Sequence, residues 1–73
     1  MAVTYKKLWK LLIDKDMKKK DLAEVAGLSQ YMMKRLAADD NISTEVIGKI
    51  CSALGCNSDD IMEFLPDDTQ HRL

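Results

Sequence analysis

The sequence predicts an all-α domain of five short helices around one core. Three observations carry that prediction. Seventy-three residues allow one domain and no more. Apolar residues recur at helical spacing, first as Tyr5, Leu8, Trp9 and Leu12, later as Val46, Ile47, Ile50 and Leu54. Between these stretches, Gly27-Leu28-Ser29 reads as a tight turn separating two further helices.

The first helix is expected over about Thr4 to Lys15, with Thr4 as its N-cap. Tyr5, Leu8, Trp9 and Leu12 form its core stripe, broadened by Leu11 and Ile13, and Lys6, Lys7 and Lys10 face away. A Trp on such a stripe is read as core. Asp14 to Met17 connects to the next helix, with Met17 filling the corner.

The second and third helices occupy Lys18 to about Ala37. Leu22, Ala23, Val25 and Ala26 give the second helix one apolar face. Gly27 supplies a residue able to take positive φ just past the helix end. Leu28 fills the corner, and the Ser29 hydroxyl suits the N-cap of the third helix, Gln30 to about Ala37. Met33 and Leu36 point inward from it at i, i+3 spacing. Gln30, Tyr31, Met32, Lys34 and Arg35 make up the rest of its surface. So many long polar side chains on so short a helix suit a partner. DNA fits that spacing, because a helix-turn-helix seats its second helix in the major groove.

Lys18-Lys19-Lys20 opens the second helix at the already positive end of its dipole. Two readings stand open: a solvated lysine run, or a phosphate site where backbone N–H groups and ammonium groups converge. Ala37 to Ile42 is a loop. Its Asp39-Asp40 pair would repel a phosphate, so both are expected to point away or to cap the next helix; Asn41 is the neutral candidate for a backbone contact. Ser43 or Thr44 caps the fourth helix, which runs to Leu54 with Val46, Ile47, Ile50, Cys51 and Leu54 inward, and Gly55 ends it. Asn57 caps a short fifth helix with Asp59 and Asp60 in its first turn and Ile61, Phe64 and Leu65 apolar. Pro66 stops it. The domain thus spans residues 1–66, and residues 67–73 are a polar, flexible tail.

Composition narrows the function classes. Apolar residues make up 47% and charged residues 32%, a globular balance. No apolar run approaches the roughly 20 residues of a membrane span, and no leader peptide interrupts a cytoplasmic reading. The net charge of −1 hides an asymmetry: residues 1–35 carry +5 and residues 36–73 carry −6. A basic half holding the polar third helix suits DNA, where phosphate neutralisation supplies much of the affinity. Cys51 and Cys56 lack the further ligands of a metal site, since only His71 adds a soft donor. They are read as reduced thiols packing as small hydrophobes. No phosphate-binding Gly loop, nucleophile–base pair or apolar carboxylate pair is present, so neither an enzyme nor a cofactor is expected, nor any small-molecule ligand.

Leu22-Ala23, Ala26-Gly27-Leu28, Ser29-Gln30, Met33 and Leu36 follow one another at a characteristic spacing. Asn41-Ile42-Ser43-Thr44, Ile50 to Cys56 and Asp60 to Phe64 continue it. Together they resemble the phage-repressor and Cro-type (Xre-like) helix-turn-helix domains, in their short single-domain branch, over roughly Thr4 to Pro66. The resemblance implies a phage-repressor-like five-helix fold with the helix-turn-helix at helices two and three. It implies a sequence-specific transcriptional regulator of bacterial or phage type, with repressor and activator both open. The sequence departs from relatives at Lys18 and Lys19, where neutral caps are usual, at Tyr31 and Met32, where small polar residues are usual, and at Asp39-Asp40.

On this reading Gln30, Tyr31, Met32 and Arg35 meet bases, with Gln30 bidentate to adenine as its preferred geometry. Lys18, Lys19, Lys20, Lys34 and Asn41 meet phosphates. A near-palindromic operator and a homodimer, at least on DNA, follow from how little duplex one helix reads. Ile61, Phe64 and Leu65 offer more apolar positions than one short helix need bury, and are the expected dimer contact. The rival is a protein-interaction module of the same fold, antitoxin-like or adaptor, gripping its partner with a Tyr31-Met32-Met33 patch.

Overall fold

The structure, a computed structural model, describes residues 2–65. The chain runs β1 (Ala2–Thr4), α1 (Lys6–Asp14), α2 (Lys19–Ala26), α3 (Gln30–Ala37), α4 (Thr44–Leu54), a 3₁₀ turn at Ser58–Asp60 and β2 (Glu63–Leu65). Four α-helices are present among these residues, not five, and a small sheet joins the two ends of the domain. None of the helices is long and apolar enough to cross a membrane. The expected stop at Pro66 and tail at 67–73 lie outside the described residues.

The start of α1 differs from the expected one. Thr4 belongs to β1, is buried, and its Oγ1 accepts only a long bond from the Lys6 N–H, 3.4 Å. Tyr5 takes the N-cap position without a capping side chain of its own. The carboxylate of Asp39, 34 residues on, accepts the Tyr5 N–H at 3.0 Å instead. A helix start can borrow its acceptor from any neighbour in space, and the sequence around Thr4 carries no sign of this one. Leu8 and Leu12 are buried as expected, Trp9 and Leu11 partly so. Ile13 is 73% exposed and leaves the stripe.

The second and third helices follow the sequence closely. Leu22 and Ala26 are buried from α2, while Val25 faces out. Gly27 adopts φ 69°, a left-handed conformation that an L side chain takes at a cost. The Leu28 N–H then returns to the Ala23 carbonyl at 2.8 Å, satisfying one orphan acceptor at the helix end. The Ser29 Oγ accepts the Met32 N–H at 3.2 Å and starts α3. Ser43 caps α4 in the same way, accepting the Val46 N–H at 3.4 Å. Gly55, at φ 66°, ends α4.

The expected fifth helix is a single 3₁₀ turn. The Asp60 carboxylate accepts the Asn57 N–H at 2.9 Å, and the N–H groups of Ile61 and Met62 both return to the Ser58 carbonyl. The chain then extends. Glu63, Phe64 and Leu65 pair antiparallel with Thr4, Val3 and Ala2 respectively. Two local biases favour the strand: Val3, Thr4 and Phe64 are good strand formers, and the residue before a proline is pushed away from helical backbone, which applies to Leu65. Strands of three residues are too short to show alternation.

The core is built from Val3, Tyr5, Leu8, Leu12, Leu22, Ala26, Leu36, Val46, Ile47, Ile50, Leu54 and Ile61. Every helix and β1 contribute to it. The α2 helix packs against α4 and against α3, so α3 is held by the core while its outer side stays in solvent.

Candidate nucleic-acid interface

The pair α2–α3 with its three-residue turn has the architecture of a helix-turn-helix. Its outward side chains are set by one-residue steps around α3. Leu36 is fully buried and fixes the helix's rotation. Gln30 and Lys34 are exposed, and Tyr31 is 68% exposed, a large value for an aromatic ring. Met32 is partly buried and packs against the core beside Met33. Met32, one of the four expected to meet bases, is thus partly covered by the core.

Arg35 is held within the protein. Its Nε donates to Asp40 Oδ2 at 3.1 Å, and its Nη2 donates to the Asn41 carbonyl at 2.6 Å. Its guanidinium carbon lies 6.0 Å from the Tyr31 ring centroid, at the outer limit of a cation–π contact. Asp40 also accepts the Asn41 N–H at 2.9 Å on its other oxygen. The Arg35 guanidinium, followed by the Asn41 N–H, holds the Asp40 carboxyl below its ordinary pKa. The Asp40 carbonyl accepts the Tyr5 hydroxyl at 2.8 Å. Burial, opposed by a backbone hydrogen bond at Ile42 and reinforced by the charges of Asp39 and Asp40, raises the Tyr5 pKa.

The two aspartates therefore have separate tasks. Asp39, at φ 55°, reaches back to cap α1, and Asp40 braces Arg35. Neither caps α4, whose cap is Ser43. The network Tyr5–Asp39–Asp40–Arg35–Asn41 ties the start of α1 to the end of α3. Its members lie up to 36 positions apart, and no local pattern in the sequence connects them. Asn41 itself is exposed.

At the start of α2, Lys18 occupies the N-cap position and its N–H donates to Asp21 Oδ2 at 2.9 Å. Asp21, the third residue of α2, thus supplies the half of a capping box that reaches back to the N-cap N–H, while the Lys18 ammonium has no acceptor with which to complete the other half. Asp21 offsets the three lysines, whose side chains are exposed. Lys19 Nζ stands 4.6 Å above the Trp9 ring. Trp9 is therefore part core and part platform for a cation at the helix start.

Of the three expected dimer residues, Ile61 is fully buried in the monomer's own core and offers no surface to a second protomer. Phe64 and Leu65 are 63% and 42% exposed on β2.

A family model described as a Cro/C1-type HTH DNA-binding domain matches residues 7–67. No curated protein matches. The crystal structure of the transcriptional regulator VanUg, form II, is similar with a TM-score of 0.86 and 47% sequence identity, covering 90% of this chain and 88% of that one.

Proposed function

The chain belongs to the Cro/C1-type helix-turn-helix DNA-binding family, and from that membership we propose that it is a sequence-specific transcriptional regulator reading operator DNA with α3 in the major groove. The observation that carries the reading is the Ser29-capped α3, buried through Leu36 and presenting Gln30, Tyr31 and Lys34 outward from a Gly27 turn. Gln30 stands at the first turn of α3, where side chains of a recognition helix reach base edges. Bidentate contact with adenine is its best geometry. Tyr31 meets a thymine methyl or the adjoining sugar-phosphate wall. Arg35 presents its remaining N–H groups to guanine or phosphate from a position that Asp40 has already set, which lowers the ordering cost of the contact.

Lys18, Lys19, Lys20, Lys34 and Asn41 contact phosphates. The family likeness of the whole domain and the 47% identity to a transcriptional regulator support a regulatory role. The protein acts as a homodimer on a near-palindromic site in the cytoplasm, with β2 at the two-fold axis. The rival reading as a protein-interaction module rests on Tyr31, Met32 and Met33, of which Tyr31 is exposed while the two methionines pack partly against the core.

Footprinting the protein on the DNA upstream of its own gene tests the proposal. A protected, near-palindromic site whose affinity falls steeply with salt is the expected result. Binding that ignores sequence, or barely responds to salt, overturns it.

A further inference from the structure

Cys51 and Cys56 lie on either side of the α4 terminus. Both are free thiols and both are half-buried. Gly55, in its left-handed conformation, turns the chain so that the Cys56 N–H donates to the Cys51 carbonyl at 3.0 Å. This six-to-one bond joins the fourth-last residue of α4 to the second residue past its end, two positions whose side chains frequently meet in this motif. Here both positions are cysteine. Standard bond lengths then limit their Cα separation to about 6.9 Å, and any bend at the hydrogen bond shortens it into the range that disulfides span. The Cys51 thiol is also near enough to be among the causes that raise the Cys56 pKa.

Among the described residues no group of three or more His, Cys, Asp or Glu side chains converges as a metal site. The chemistry available is that of a pair. Cys56 also lines an open cleft of about 470 Å³ together with Lys7, Lys10, Asp14, Lys15 and Asp60. Lysines outnumber the carboxylates there, so the cleft favours an anionic visitor.

We propose that Cys51 and Cys56 form a dithiol modification site that closes into an intramolecular disulfide by exchange with an anionic low-molecular-weight disulfide. The Cys56 thiolate, facing the cleft, attacks one sulfur of the incoming disulfide. One small thiolate leaves and takes up the Cys56 proton. The Cys51 thiolate then attacks Cys56 Sγ, breaks the mixed disulfide, and expels the second small thiolate, which takes up the Cys51 proton. The pair loses two electrons, and the small disulfide is reduced to two thiols. Burial, then the neighbouring Cys51 thiol, raises the Cys56 pKa, with Asp60 adding to the rise and Lys15 opposing it. The first attack is therefore slow at neutral pH and quickens as pH rises, since the thiolate is the nucleophile.

Oxidised glutathione is the probe. The full chain is incubated with it, unfolded, treated with an alkylating agent and weighed by mass spectrometry. The expected product has lost two hydrogens, takes no alkyl group, and returns to two free thiols with dithiothreitol. Cys51→Ser is expected to stop at one glutathione adduct on Cys56. Cys56→Ser, which leaves no thiol on the cleft, is expected to react more slowly than wild type. Circular dichroism confirms that each variant is folded. A stable glutathione adduct on the wild type overturns the proposal. So does a disulfide-linked dimer, or a folded chain that keeps both thiols under conditions that oxidise the urea-unfolded chain.

Discussion

Arg35 and Asp40 close a ring across the end of α3: Nε donates to the carboxylate at 3.1 Å while Nη2 holds the next residue's carbonyl. The guanidinium lowers the Asp40 pKa, so the native state holds this carboxylate ionised more tightly than the unfolded chain does. The contribution to stability is therefore complete above the ordinary carboxylate range, near about pH 4. It is lost as pH falls through the lowered native value. Asp40→Asn is expected to melt below wild type at neutral pH, with the gap closing as the solution is acidified past that range. Thermal melts across acid pH check this; a gap that stays constant with pH would show the ion pair to be without effect.

Gln30 and Met32 sit two positions apart on α3 with opposite surroundings, one exposed and one packed against the core. Gln30→Ala is expected to leave the melting temperature unchanged and to cost roughly 1–3 kcal/mol of discrimination between operator and mismatched DNA. Met32→Ala is expected to do the reverse, losing about 1 kcal/mol of stability, below the range for fully buried methionines because it is only partly covered. Competition gel shifts and thermal melts on both variants separate the roles. Loss of discrimination in a fully stable Met32→Ala would return Met32 to the reading surface.

The lysine run offers two measurements from one set of variants. Neutralising Lys18, Lys19 and Lys20 to Gln is expected to weaken binding to all DNA alike, and to flatten the plot of log affinity against log salt by about one unit per lost phosphate contact. Lys19 has a second task over Trp9, the chain's one tryptophan, at 4.6 Å. Lys19→Gln alone is expected to change the intrinsic tryptophan fluorescence and to cost about 0.5–1 kcal/mol, as an exposed cation–π pair does. An unchanged salt slope in the triple variant would leave the lysines as a solvated helix end.

What was legible in the sequence was local. Gly27, Ser29, Ser43 and Gly55 each act within four residues, through a positive φ or a hydroxyl on a nearby N–H, and each lies where its chemistry predicts. The Leu22, Leu36 and Ile50 stripes follow from helical period in the same way. What was hidden was non-local. Asp39 caps a helix 34 residues upstream, and Asp40 braces the candidate base reader Arg35 in an ion pair. Phe64 and Leu65 chose a strand because β1 was there to pair with them, a partner 61 residues away that no window around residue 64 contains. The exposed side chains of α3 were legible as a set, but Met32's partial burial depended on how α3 is rotated against the core.

Ile61 and Phe64 divide the proposed dimer contact from the monomer's own core. Ile61 is fully buried, Phe64 is 63% exposed, and both follow the 3₁₀ turn within six residues of Ser58. Ile61→Ala creates a cavity and is expected to cost about 2–5 kcal/mol, enough to unfold much of so small a domain. It therefore says nothing about pairing. Phe64→Ala removes an exposed ring from a strand whose backbone partner is retained, so the monomer is expected to melt within about 0.5 kcal/mol of wild type. One α3 spans too little duplex to define a unique site, and two must lie about 34 Å apart to read successive turns. If Phe64 and Leu65 supply the two-fold contact, Phe64→Ala is expected to bind a half-site as wild type does and to lose the extra affinity of the full site. Sedimentation on half and full sites gives the stoichiometry directly. Two protomers of Phe64→Ala on the full site at undiminished affinity would move the axis away from β2, and one wild-type protomer at saturation would remove the dimer altogether.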